Sequence, residues 1–481
     1  MRIHDTFFIG GKHVPAYSRK RIDVYSPHTE EKIGQAPDAS PEDIDRAVES
    51  ARHAFDEGPW PRMSATERAA GMRRLAQALR DRAEEYADLI SMQNGSPKNF
   101  TLAGQVLSAT ATIDRYAAFA EEYPWASDRP SSAGGTVRVR RLPVGVTAAI
   151  LPWNGPLFIA SLKIGPAMAA GSPLVLKTAP ETPLDAYLLA DAVEEAELPP
   201  GVLNIISATR EHSDVLLRHP GIDKVSFTGS AAVGRYIAGV CGESMKRFTL
   251  ELGGKSAAIL MEDVELTDSM LDELMGAALA NNGQVCASQS RILAPAGRYQ
   301  EVVDALADRM KAMTVGDPLD EQTDIGPLVA ERQRTRVLGY VESGLSEGAR
   351  LVTGGGRPSS LDKGWYVEPT LFEGVDNGMK IAQEEIFGPV ISAISYDGDA
   401  EAVEIANSTT YGLCGTVWGA DQDRATDIAG QVRAGTMSVN RAVLLDIEAP
   451  FGGFKSSGMG RESGPEGIDA YTETQSLVLG L

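Results

Sequence analysis

Three stretches of the chain carry side chains able to break or make a covalent bond. Cys286 stands among small residues in Asn282-Gly283-Gln284-Val285-Cys286-Ala287. A thiolate adds readily to an electrophilic carbon, but a free thiol with a pKa near ~8.5 is only a few per cent ionised at neutral pH. The same setting also suits an inert, buried cysteine. Glu251 follows an apolar run in Leu250-Glu251-Leu252-Gly253-Gly254-Lys255. Partial burial raises a carboxyl's pKa and makes it a usable general base; an exposed turn carboxylate is the plainer alternative. Asn154 lies in Pro152-Trp153-Asn154-Gly155-Pro156. Its amide can donate to a developing oxyanion, or the run can be a turn and nothing more.

Two further places suit a phosphate-bearing ligand. Phe227-Thr228-Gly229-Ser230 closes an apolar strand and opens a helix. N–H groups at a helix start attract a pyrophosphate. The GxGxxG fingerprint is absent, so an ordinary strand-to-helix turn remains open. Lys177 ends a strand, where it can reach a ribose hydroxyl or phosphate, or simply meet solvent. The chain as a whole offers such a ligand no help: 45 Lys and Arg against 66 Asp and Glu leave a formal charge of −21. That balance argues against nucleic-acid and anionic-membrane partners, so any phosphate must be held locally. The three cysteines, Cys241, Cys286 and Cys414, are odd in number and far apart. They exclude a disulfide scaffold and a CxxC motif and fit a reducing cytoplasm. The six histidines show no HExxH or HxxxH pattern, so no metal site is expected.

The elements that must hold these residues are legible as patterns. Ser40-Pro41-Glu42-Asp43 starts a helix. Residues 64–92 form the strongest helical run, and 102–122 continue as helix. Residues 124–135 read as a loop. Residues 136–142 alternate apolar with basic and 476–479 are apolar; both read as exposed strands needing a partner, within the chain or in another subunit. From Val144 the texture becomes alternating strand and helix. Strands are expected at 146–151, 174–177, 202–206 and 224–227. Helices are expected at 157–170, from a Thr182 cap to about 195, at 211–217 and at 231–240. This alternation implies a doubly wound parallel sheet, which binds ligands at the carboxyl ends of its strands. A second α/β lobe is expected from Gly253 to about Gly460. The most apolar long window, 157–176, contains Lys163, Pro166 and Pro173 and reads as helix, turn and strand rather than a membrane span. Residues 1–12 lack the apolar core of a signal peptide.

Taken together, the motifs PWN, FTGS, LELGGK, GQVC, EEIFGP and PFGGFKSSGMGRE occur in this order between residues 152 and 462, with Lys177 at its strand end. The chain thereby resembles the NAD(P)-dependent aldehyde dehydrogenases over essentially its whole length. The resemblance implies Cys286 as nucleophile, Glu251 as general base, and Asn154 with the Cys286 N–H as oxyanion hole. It implies Lys177 and Trp153 at the adenosine end of the cofactor, Gly229 and Ser230 at the pyrophosphate, and Glu385 and Phe387 at the nicotinamide. Lys163 is similar to a family lysine standing behind the base. The presence of Glu251 favours hydrolysis to a free acid over transfer to coenzyme A.

Two departures bear on specificity. Relatives that prefer NAD often carry a Glu three residues after the Lys; here that position is Pro180, followed by Glu181. Arg210 is a candidate for a 2′-phosphate. NAD is expected, with NADP open. Gly155 replaces a common aromatic and Leu162 a common Trp. With Ile159, Val285, Leu444, Leu445 and Ile447, they suggest a roomy apolar pocket for a neutral hydrophobic aldehyde.

The fold class expected is α/β: a Rossmann-like cofactor domain (1–120 and 143–252), a doubly wound catalytic domain (253–465), and a small β arm for oligomerisation (121–142 and 466–481). The arm implies a homodimer or homotetramer. The function expected is oxidation of an aldehyde to an acid. The alternatives are a coenzyme-A-acylating dehydrogenase, a thiol esterase and a non-catalytic protein on the same scaffold.

Overall fold

The computed structural model describes residues 1–442 and 445–480; the expected pocket residue Leu444 lies outside them. The architecture is mixed α/β, built on two large sheets and two small ones.

The first large sheet has eight strands. Its centre runs, in spatial order, Arg247–Glu251, Lys224–Thr228, Thr147–Ile150, Leu174–Thr178 and Leu203–Ser207, all parallel. Short antiparallel strands close both edges: Gly458–Met459 on one side, Thr6–Ile9 and Lys12–Pro15 on the other. Chain order reverses between Thr147–Ile150 and Lys224–Thr228. A crevice opens at such a switch point, beyond the carboxyl ends of the two strands. Those ends carry Pro152-Trp153-Asn154 and Gly229-Ser230.

Burial explains why these strands are nearly continuous apolar runs. Successive side chains point to opposite faces. Ala148, Ile150 and Val175 enter one core, with helices Pro41–Asp56 and Ala231–Glu243. Ala149, Leu174 and Leu176 enter the other, with helices Ala65–Asp81, Ser108–Glu122 and Pro156–Ala170. The second large sheet has seven strands and is covered on both faces in the same way. Ala257 and Ile259 face one core, Ala258 and Leu260 the other.

Local signals mark most helix starts. Ser40 and Ser64 each form a capping box, with Asp43 and Glu67. The long helical run does not stay whole: it breaks at Arg82 into Ala65–Asp81 and Ala83–Asn94. Thr182 is not a cap. The helix begins at Asp185, because Gln93 Oε1 accepts the Leu184 N–H at 3.0 Å while Gln93 Nε2 donates to Asp185 at 2.6 Å. A partner distant in the chain thus supplies what the local hydroxyl was expected to supply. The segment expected as helix from 102 opens with a π-helical stretch, Thr101–Leu107.

The expected loop 124–135 contains a strand, Ala126–Pro130, which pairs antiparallel with Thr136–Pro143. The far edge of Thr136–Pro143 pairs with Thr472–Leu479 over eight residues, within the chain. No helix among the described residues is long and apolar enough to cross a membrane.

Candidate active site

Cys286 follows a tight 3-10 turn, Ala280–Gly283, in which Asn281 and Asn282 take left-handed backbone conformations. Asn282 anchors the turn. Its Nδ2 donates to Gly95 O and Pro327 O, each at 2.9 Å, and its Oδ1 accepts the Gly326 N–H at 2.6 Å. Asn281 Nδ2 donates to the Asn154 carbonyl at 2.8 Å. The cysteine turn is thereby tied to the end of the central strand of the first sheet. The Asn154 side chain is oriented in turn: its Nδ2 donates to Gln284 O at 2.9 Å. An amide nitrogen carries two hydrogens, and this bond engages one of them.

Two cavities meet at this point. One, about 250 Å³, is lined by Trp153, Gly229, Ser230, Gly253, Glu385 and Phe387 among others. The other, about 320 Å³, is lined by Gly155, Ile159, Leu162, Val285, Leu445 and Glu251 among others. Asn154, Thr228 and Cys286 line both. The expected pocket residues within the described chain therefore share one cavity, except Ile447, which does not line it.

The two carboxylates near the sulfur are of different kinds. Glu385 accepts the Gly254 N–H at 3.1 Å, and burial pushes its carboxyl up to about 7. Residue 253 is glycine, and a Cβ there would lie 2.4 Å from Glu385 Oε2, so a side chain at 253 would push this carboxylate aside. Neither oxygen of Glu251 has a hydrogen-bond partner among the described residues. Burial, and then the charge of Glu462, raises its carboxyl well above the ordinary range. The Cys286 thiol is pushed up to about 12, by burial first and then by Glu385 and Glu251. Burial and these two carboxyl groups therefore favour the protonated thiol.

Behind Glu251 lies a buried ion pair. Lys163 Nζ donates to Glu462 Oε1 at 2.7 Å, to Thr228 Oγ1 at 2.8 Å and to Ser226 Oγ at 3.3 Å. The two charged side chains are 0% and 2% exposed. Glu462 lies within the last quoted motif, but its sequence neighbours give no hint that it pairs with Lys163.

The first cavity suits a ligand with an anion at one end and hydroxyls at the other. Helix Ala231–Glu243 starts at its wall, capped by Ser230. Gly229 N–H is engaged by Glu251 O at 3.0 Å and Val233 N–H by Ser230 Oγ at 3.4 Å. The N–H groups between them are the ones positioned for an anion. Trp153 meets Phe387 edge to face, ring centroids 5.3 Å apart. Trp153 therefore lines the first cavity together with Phe387. Lys177 is buried and does not line this cavity; its Nζ approaches Ala208 O at 3.5 Å, and burial lowers it to about 8. Glu181 is ion-paired with Arg332, and Arg210 is exposed outside the lining.

Sequence reasoning missed several wall residues. Gln333 and Arg336 reach the first cavity from helix Glu331–Ser346; Gln333 Nε2 donates to Phe387 O at 2.7 Å, and Arg336 Nη2 to Glu385 O at 2.6 Å. Phe100, Gln105 and Asn281 reach the second. No motif flags a helix face that turns toward a distant cysteine.

Comparison with known proteins agrees with this geometry. The aldehyde dehydrogenase family model matches residues 13–477. Geranial dehydrogenase of Castellaniella defragrans is 48% identical, over 99% of each chain. The structure of a Mycobacterium tuberculosis aldehyde dehydrogenase complexed with NAD+ superposes with a TM-score of 0.96 at 44% identity, over 100% of this chain and 99% of that one. A mutant of aldehyde dehydrogenase C from Pseudomonas syringae, in complex with NAD+ and octanal, gives 0.95 at 38%, over 98% and 96%. A thiol, an amide and a carboxyl converging where two cavities join is what an acyl-transferring oxidation of an aldehyde needs, and with matches over the full length of the chain, this protein belongs to the aldehyde dehydrogenase family.

Proposed function

We propose that this enzyme oxidises neutral, hydrophobic aldehydes to carboxylic acids with NAD+, through a covalent intermediate on Cys286. The observation that carries the reading is the junction itself: Cys286 lies in the wall of both cavities, with Asn154 beside it and Glu251 in the substrate-side wall. The names of the geranial-oxidising and octanal-bound relatives support the substrate class.

The glycine–Glu385 mouth and the helix start at Ser230 fit a dinucleotide: Ser230 would meet its pyrophosphate and Glu385 its nicotinamide ribose. When bound, NAD+ accepts hydride from the former aldehyde carbon. The rest falls to the chain. Cys286 gives up its thiol proton to water in the cavity, a loss that the positive nicotinamide would favour when bound, and adds as thiolate to the carbonyl carbon, whose oxygen takes the negative charge. The free N–H of Asn154 and the Cys286 N–H meet that charge. Once hydride has left, the acyl group remains on sulfur as a thioester. Glu251 takes a proton from water, the hydroxide oxygen attacks the acyl carbon, and the sulfur leaves as thiolate. An unpaired, buried carboxyl suits this step, since raised proton affinity makes it a stronger base. Lys163 and Glu462 hold the floor beneath it.

Asn154→Ala is expected to lower kcat about 10²–10³-fold with little change in NAD+ affinity, because the amide acts on charge that exists only in the transition state. Stopped-flow NADH absorbance and a fluorescence titration of NAD+ read the two effects. The overall reading is tested by supplying octanal and NAD+ without coenzyme A. One acid per NADH is expected; a strict need for coenzyme A overturns the hydrolytic route.

NAD+ is proposed as the preferred acceptor, with NADP+ as the second, and the ratio of kcat/KM for the two decides. The domain limits proposed are 1–120 with 143–252, 253–465, and 121–142 with 466–481. The separate cores of the two large sheets support them, although Gly458–Met459 returns to the first sheet. The small sheet at 126–143 and 472–479, with Val478 exposed, supports a homodimer or homotetramer; light scattering at micromolar concentration checks it. The three cysteines, none of them in a disulfide among the described residues, support a reducing, cytoplasmic location, which fractionation of the host cell tests.

A further inference from the structure

The substrate-side cavity contains a polar group that the chemistry above does not use. Gln105 is 2% exposed, lines this cavity, and neither its Oε1 nor its Nε2 has a hydrogen-bond partner among the described residues. The apolar side chains Phe100, Phe158, Ile159 and Leu162 share the wall with it. A buried carboxamide left without partners is costly and calls for an explanation.

The backbone explains how it comes to be there. Thr101–Leu107 is π-helical, and Ser108 Oγ donates to Ala103 O, five residues back, at 2.9 Å. The extra residue in such a turn re-aims the side chains of the segment, and single π turns concentrate at functional sites. Gly155 leaves space in front of the amide: a Cβ there would lie 4.0 Å from Gln105 Oε1. Asn281 contributes a second group. Its Nδ2 donates to Asn154 O and Gln284 O, while its Oδ1 is buried and unpartnered, and the residue lines the same cavity. Among the described residues no Lys or Arg lines this cavity, whereas Glu251 and Glu462 do. An anionic substrate group is therefore disfavoured. A hydroxyl is neutral, and it both donates and accepts, so it can satisfy a carboxamide in either orientation.

We infer that Gln105 is a specificity-determining residue and that the preferred substrates are apolar aldehydes bearing a neutral hydroxyl remote from the aldehyde carbon. This deepens the dehydrogenase reading above and rests on it.

Matched pairs test it. Octanal is compared with its hydroxylated positional isomers, and phenylacetaldehyde with its three ring-hydroxylated forms. kcat/KM comes from NADH absorbance. Kd comes from isothermal titration of the same aldehydes into the Cys286→Ala protein, which cannot turn them over. At least one hydroxylated member of each set is expected to exceed its parent about tenfold in both quantities. Gln105→Leu should abolish that preference and improve the parents. Gln105→Met, which also removes the amide, gives a second reading if the leucine variant does not fold. Ratios unchanged in both variants, or a wild-type preference for the parents throughout, overturn the assignment. If parents turn over while the ratios stay fixed, only the role of Gln105 falls. If no aldehyde reduces NAD+, the dehydrogenase reading falls and takes this inference with it.

Discussion

Cys286→Ala is expected to lower aldehyde oxidation by more than about 10⁴-fold while leaving NAD+ affinity within about twofold. Three residues line both cavities: Asn154, Thr228 and Cys286. Asn154 presents an amide, which is no nucleophile. The Thr228 hydroxyl oxygen accepts from Lys163 Nζ at 2.8 Å. Only the sulfur remains to form the bond that turns an aldehyde into a hydride donor. The substitution removes one atom from a partly buried site and leaves the anchoring bonds of Asn281 and Asn282 in place, so the fold should persist. NADH absorbance with octanal, and quenching of intrinsic fluorescence by NAD+, measure the two quantities. Residual activity above one part in a hundred would show that a covalent bond to sulfur is dispensable.

Glu251→Gln should separate the two halves of the reaction. Addition to the aldehyde and loss of hydride do not need this carboxyl; release of the acyl group does. The variant is expected to give a burst of about one NADH per active site and then a steady rate about 10²–10⁴-fold below wild type. Mass spectrometry should find the acyl group on the Cys286 peptide. The pH profile is a second readout. Burial and Glu462 raise the Glu251 carboxyl, so its proton is lost only well above the ordinary carboxylate range of about 4. A protonated carboxyl cannot accept a proton from water. Wild-type turnover should therefore fall as pH drops through that raised value, and the slow turnover of the glutamine variant should lose this limb. The amide is nearly isosteric and brings no charge into a pocket where neither carboxylate oxygen has a partner, so thermal stability should be little changed. A variant with no burst and an unchanged acid limb would place the base elsewhere.

How far the chain could be read without coordinates depended on the range of the interaction concerned. Strand and helix periodicity, the helix start at Ser40, and the strand ends before Asn154, at Gly229 and at Glu251 are properties of a few neighbouring residues, and the α/β class followed from them. The motif order added the family. Expectations broke down where a partner lay far along the chain. Gln93 moved a helix start from Thr182 to Asp185. The pairing of Ala126–Pro130 with Thr136–Pro143 made a strand of residues that read as a loop.

The residue types alone determined which chemistry was available: a thiol, a carboxyl and an amide, each set at a strand end or tight turn, with no excess positive charge to hold phosphate globally. Tertiary structure decided what those groups are when assembled. It brought residues 154, 251, 286 and 462 into one place and stripped water from Glu251, raising its proton affinity. It also turned Gln105 inward on a π-helical stretch that no periodicity announces. The physical reason is that conformational preference is local, whereas desolvation and charge–charge coupling depend on everything within a few ångströms, and most of that arrives from distant parts of the chain.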